Sequence, residues 1–102
     1  MATLYVTEYA RLADDEPGRT IQAGQEPPIA EHTVSIGSGS DQTPVFNQST
    51  RIVMVHTDSI CHVAIGESPT ASTEKRRLPA DSTVFYGIPN ASKFRLAVIE
   101  GV

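Results

Sequence analysis

An all-β fold is what this sequence predicts: one antiparallel domain, a sandwich or barrel, of about eight short strands. Three observations lead there. Seven Pro and seven Gly are spread along 102 residues, and they interrupt short runs rich in Val, Ile, Thr, Phe and Tyr. No long stretch repeats its apolar residues every 3.6 positions, residues 5–13 being the only weak helical rival. The length is that of one domain, and 39% apolar residues suffice for one modest core.

Taken in order, the predicted strands are 3–9, 30–36, 51–57, 60–66, 83–88 and 94–100, with shorter candidates at 19–22 and 43–47. Gly37-Ser-Gly-Ser-Asp41, Pro79-Ala-Asp81 and Pro89-Asn-Ala-Ser92 supply turn residues between them. Glu67 to Leu78, with Pro69 and a Ser/Thr-rich run, reads as an exposed loop. Residues 10–28 carry Asp14-Asp-Glu16, two Gly and three Pro with little apolar density, and they read as an extended acidic arm or long loop. Residues 1–32 hold six acids and two bases, a balance of −4, whereas 33–102 hold six of each. An acidic segment attached to a neutral β body follows from that asymmetry.

Asp58-Ser59 stands between two strand-like runs, so a two-residue hairpin turn is expected, pairing Thr57 with Ile60, His56 with Cys61 and Val55 with His62. One face of that hairpin would collect Ile52, Met54, His56, Cys61, Val63 and Ile65. The other would collect Val53, Val55, Thr57, Ile60, His62 and Ala64. Both are largely apolar, so both need a cover, from the chain's own arm or second sheet or from a neighbouring subunit. Val53, Val55, Ile60 and His62 are therefore candidate partner contacts.

The charge and cysteine counts exclude several classes of function. A formal net charge of −4 disfavours binding to a phosphate backbone, so no nucleic acid is expected. Cys61 is the single cysteine, which rules out an intramolecular disulfide and suits a reducing compartment. The N-terminal residues show neither a signal-peptide pattern nor a membrane span.

Candidate chemistry is sparse. His56, Asp58, Cys61 and His62 are crowded along the chain, but the expected register turns His62 away from His56 and Cys61, and a third ligand would have to be His32. No metal or cofactor is expected. Cys61 lies in an apolar strand, unsuited to forming a thiolate nucleophile. Asp14-Asp-Glu16 sits in a segment that cannot hold carboxylates at fixed separation. Gly37-Ser-Gly-Ser lacks the Lys and helix of a phosphate loop. No catalytic residues are assigned, and no enzyme is expected. Lys75, Arg76 and Arg77 form the one basic cluster and are candidate contacts for an acidic partner.

The opening Met-Ala-Thr-Leu-Tyr-Val-Thr-Glu, the stretch Thr50-Arg-Ile-Val-Met-Val-His-Thr-Asp-Ser-Ile-Cys61, Val63 to Ala71, Phe85-Tyr-Gly-Ile-Pro89 and Lys93-Phe-Arg-Leu-Ala-Val-Ile99 carry a resemblance. Together they resemble the small virion proteins encoded beside the major capsid gene in tailed bacteriophages and prophages. The likeness implies a single antiparallel β-sandwich, jelly-roll-like, serving as a capsid cement or decoration protein made in the host cytoplasm and placed on the virion surface. Its partner would be the major capsid protein, and its own association a homo-oligomer, most often a trimer. Neck or fibre-associated virion proteins, and a cupin-like ligand-binding barrel, are the alternatives.

Overall fold

The computed structural model describes residues 2–15, 19–89 and 93–101, and the chain is all-β. Its strands are β1 (Thr3–Tyr9), β2 (Leu12–Asp15), β3 (Arg19–Gly24), β4 (Ala30–Ser35), β5 (Asp41–Gln42), β6 (Ile52–Thr57), β7 (Cys61–Gly66), β8 (Arg76–Leu78), β9 (Ser82–Gly87) and β10 (Arg95–Glu100). One four-stranded sheet has the order β4-β1-β6-β9, a second has the order β5-β10-β7-β8, and β2 pairs with β3 alone.

The antiparallel pairs nest. β7 pairs with β8, β6 with β9 and β5 with β10, as in one long hairpin rolled up so that its arms alternate between two sheets. The next pair outward joins β4 to β1, so β1 fills the place that a strand after β10 would take. This is the nested order of a jelly roll with its last position filled from the N-terminal side. The ladders β1–β6 and β7–β10 then complete the sheets.

Period-2 alternation decides which side chains enter the core. Leu4 and Val6 from β1, Val53 and Val55 from β6, Cys61 and Val63 from β7, and Leu96 and Val98 from β10 meet between the sheets, with Phe46 and Ile88 closing the ends. Asp81 takes φ 57° in the turn before β9, a left-handed conformation that Asp tolerates better than most residues. Thr43 N and Phe46 N donate to Leu96 O and Phe94 O, so the predicted strand at 43–47 does run beside β10. Pro44 has no N–H to extend that ladder, and the strand proper is Asp41–Gln42.

Two expectations are corrected. The runs at 51–57 and 60–66 are strands but do not form a hairpin: β6 lies between β1 and β9, and β7 between β10 and β8. Residues 58–60 carry the chain across from one sheet to the other. The Thr57 hydroxyl donates to Ser59 O (2.5 Å) and accepts from Ser59 N (3.2 Å), while Asp58 Oδ1 accepts Thr3 N (2.8 Å). These local bonds satisfy the turn without a ladder, and the crossing lets Val53, Val55, Cys61 and Val63 share one interior. The second correction concerns residues 10–28, where β2 and β3 form an antiparallel hairpin with a register irregularity between Leu12 and Asp14 in place of an arm or loop. Its base is closed by Gln25 N donating to Arg11 O (2.9 Å). Gly24 lies so close to the Tyr9 ring that an added Cβ would fall 2.5 Å from it.

The Glu67–Leu78 connection is largely exposed, as expected, and is pinned at three points. Gln42 Nε2 donates to Pro69 O (2.7 Å), Ala71 N to Ser40 Oγ (3.0 Å) and His62 Nδ1 to Lys75 O (3.0 Å). The segment is thereby strapped over the outer side of the second sheet, burying Pro69 and Ala71. Ala64, Gly66 and Ala97 form a low floor there, which lets backbone pack close. The cover for the outer side of β7 thus comes from the chain itself.

Candidate functional site

On the outer side of the first sheet Gly24 of β3 packs on Tyr9, but among the described residues no such strap covers the sheet around Tyr5 and Phe85. Because Leu4, Val6 and Glu8 point inward, Tyr5 and Thr7 point out, and the register places Tyr5 opposite His56, Thr7 opposite Met54 and Met54 opposite Phe85. Tyr5 is 45% exposed and Phe85 55%, while Met54 and His56 are half-buried. The Tyr5 and His56 rings lie 6.0 Å apart, tilted by 40°, and His56 Nδ1 is 2.9 Å from Thr83 Oγ1. A largely apolar strip across β1, β6 and β9 results. At its β9 end it opens into a groove of about 260 Å³ lined by Leu12, Ala23, Ile52, Phe85, Tyr86 and Gly87.

At the opposite side of β1 sits a buried carboxylate. Glu8 is 1% exposed, and its Oε1 accepts Asn47 N (2.8 Å) and Thr50 Oγ1 (2.6 Å) while its Oε2 meets His32 Nε2. A buried charge persists when its lone pairs are satisfied by donors, and here three are supplied. Two come from the 43–51 connection and one from β4, so Glu8 fastens that connection to the sheet. Nearby, Tyr9 OH donates to Glu26 Oε2 (2.8 Å). That bond to a carboxylate, then burial, then the charges of Glu26 and Glu31 raise the Tyr9 pKa.

The candidate contacts named from sequence divide. Val53 and Val55 are 0% exposed and belong to the core; they cannot meet a partner, because crossing of the sheets turns their side chains inward. His62 is 4% exposed and lies under the strap. Ile60 is half-buried against Gly101, where an added Cβ would come within 2.5 Å of its Cγ2. Lys75, Arg76 and Arg77 are all exposed. Arg76 lies over the Tyr86 ring at 4.9 Å, and Arg77 stands opposite His62 on the other side of β8.

His56 and Cys61 are likewise separated, one pointing out of the first sheet and the other into the core. Among the described residues no group of three His, Cys, Asp or Glu could hold a metal ion. The Cys61 thiol is buried and donates to Thr57 Oγ1 (3.6 Å). Burial raises its pKa, the Thr57 bond opposes that rise, and Asp58 adds to it, which is the reverse of what a nucleophile needs. No helix of the described residues is long and apolar enough to cross a membrane.

Tyr5, Met54 and Phe85 were missed by sequence reasoning, although alternation in Thr83-Val-Phe-Tyr86 already sets Phe85 against the inward Val84 and Tyr86. Compared with family models, curated proteins and solved structures, the chain matches none. What the fold and surface define is an all-β sandwich with an apolar strip on the outer side of one sheet.

Proposed function

We propose that this chain is a structural virion protein of a tailed bacteriophage, a cement or decoration protein that binds the major capsid shell and stabilises it. The observation that carries this reading is the strip of Tyr5, Met54 and Phe85 on the outer side of the β4-β1-β6-β9 sheet. A sheet face with exposed aromatic anchors suits docking on another protein's surface, whereas a small-ligand site is concave with convergent polar groups. Lys75, Arg76 and Arg77 supply a second, electrostatic contribution toward an acidic shell surface. A shell that binds the protein intact and releases it when disrupted gains stability by linkage.

The test is co-sedimentation of the purified chain with shells of the major capsid protein from the same genome, alongside the shell's melting temperature. Binding that raises the melting temperature and falls on Tyr5→Asp is expected. Neutralising Lys75, Arg76 and Arg77 together weakens attachment and flattens its salt dependence. Shells that neither retain the protein nor melt higher in its presence overturn the reading, and recovery of the protein only in neck or fibre fractions moves it to those structures.

A further inference from the structure

Four edges border the two large sheets, and three carry a feature that discourages pairing with another strand. β4 presents the exposed acid Glu31, β8 presents Arg76 and Arg77, and β5 is only Asp41–Gln42. Charge and shortness are the usual protections of an edge. β9 has neither: Ser82–Gly87 is six residues long, contains no charge and no Pro, and carries Phe85 at 55% exposure.

The bonding pattern shows which backbone groups this edge offers. Ile88 N donates to Arg51 O (2.7 Å), and in an antiparallel ladder bonded residues alternate. On β9 the residues bonded to β6 are therefore Ser82, Val84 and Tyr86, opposite Thr57, Val55 and Val53. Thr83, Phe85 and Gly87 turn their N–H and C=O groups to the open side. Among the described residues none of these six groups has a backbone partner.

We infer that β9 is a homodimerisation edge, pairing antiparallel with β9 of a second copy about a two-fold axis at Phe85. A second copy fits because the edge is complementary to itself. With Phe85 opposite its own equivalent, Thr83 faces Gly87 of the partner subunit and Gly87 faces Thr83 of the partner subunit, so all six groups find partners. A closed two-fold contact follows, and no like charges on β9 meet across it. Grooves of about 260 and 380 Å³ flank the edge at Tyr86 and Gly87, leaving space beside the incoming strand. The axis stands perpendicular to the sheet, so the two Tyr5 strips lie on the same side of one continuous eight-stranded sheet. This association is two-fold, in contrast to the trimer that the phage resemblance implies, and it does not depend on the capsid reading.

Sedimentation or light scattering of the purified full chain across a concentration series tests it, together with hydrogen exchange at single amides. The mass is expected to rise with concentration toward twice the 11.0 kDa monomer and no further. The amides of Thr83, Phe85 and Gly87 gain protection over the same range. Phe85→Lys puts like charges across the axis at an already exposed position, so it holds the protein monomeric at every concentration with strand content unchanged. Thr33→Lys, on the β4 edge, leaves the dimer intact. A mass that stays at one copy, a trimer, a dimer indifferent to Phe85→Lys, or edge amides whose exchange ignores concentration would each overturn the inference.

Discussion

Replacing Glu8 by Ala removes the acceptor at the centre of a buried node. Asn47 N at 2.8 Å, Thr50 Oγ1 at 2.6 Å and His32 Nε2 all lose their partner at a position 1% exposed. Leaving a buried donor unmatched costs about 1–3 kcal/mol. The upper end applies, because Thr50, buried at 1% exposure, loses its acceptor together with Asn47 and His32. Since about 1 kcal/mol moves the midpoint of a domain this size by roughly 4–8 °C, a cost of about 3 kcal/mol lowers the melting temperature of Glu8→Ala by roughly 12–24 °C. Glu8→Gln keeps a carbonyl for Asn47 and Thr50, and its amide can donate to His32, so its cost is about 1–2 kcal/mol. Thermal unfolding followed by circular dichroism measures both. A Glu8→Ala variant within about 1 kcal/mol of the parent, or a Glu8→Gln variant as damaged as Glu8→Ala, would refute the argument that matched donors hold this node together.

Stability falls at alkaline pH for a related reason. Cys61 and Tyr9 both have raised pKa values in the fold, so each contribution is complete below the ordinary values of 9.0 and 10.0 and fades as pH climbs through the higher folded ones. Urea unfolding from pH 8 upward should show the decline, with Cys61→Ala removing its first part and Tyr9→Phe its second; equal slopes in all three proteins would exclude this linkage. Gly24→Ala drives a Cβ into the Tyr9 ring and costs about 1–3 kcal/mol, seen as faster proteolysis within the β2–β3 hairpin. Val53→Ala costs about 2 kcal/mol in urea unfolding, whereas Phe85→Ala, at an exposed position, stays within about 0.5 kcal/mol.

Strands were legible in this sequence because period-2 alternation is written into neighbouring residues, and β1, β4, β6, β7, β9 and β10 fall within a residue of their predicted bounds. Partners were not, since a turn signal such as Asp58-Ser59 says only that the chain bends. Whether it returns beside itself or crosses to another sheet is settled by which arrangement buries Val53, Val55, Cys61 and Val63 together. β8 was hidden by its length of three residues, two of them Arg, and β2 by Asp14-Asp15, which disfavour strands in isolation. Glu8 shows the limit within the site. Its parity with Leu4 and Val6 marks it as inward-facing, but the groups that satisfy it lie 24 to 42 residues further along, and nothing local announces them.

The position of β1 bears on how the chain reaches this state. β1 occupies an interior place in its sheet, flanked by β4 and β6, so its second neighbour, β6, is not complete until the chain has been made past Thr57. Until then, β1 has an open side where the Val- and Ile-rich β6 belongs. Pairings between segments so distant in sequence close slowly, because the entropy of the intervening loop is lost before the contacts are gained. The inner turn of the rolled ribbon, β7 with β8, is thus its most local pairing, and β1 with β6 is among its most distant.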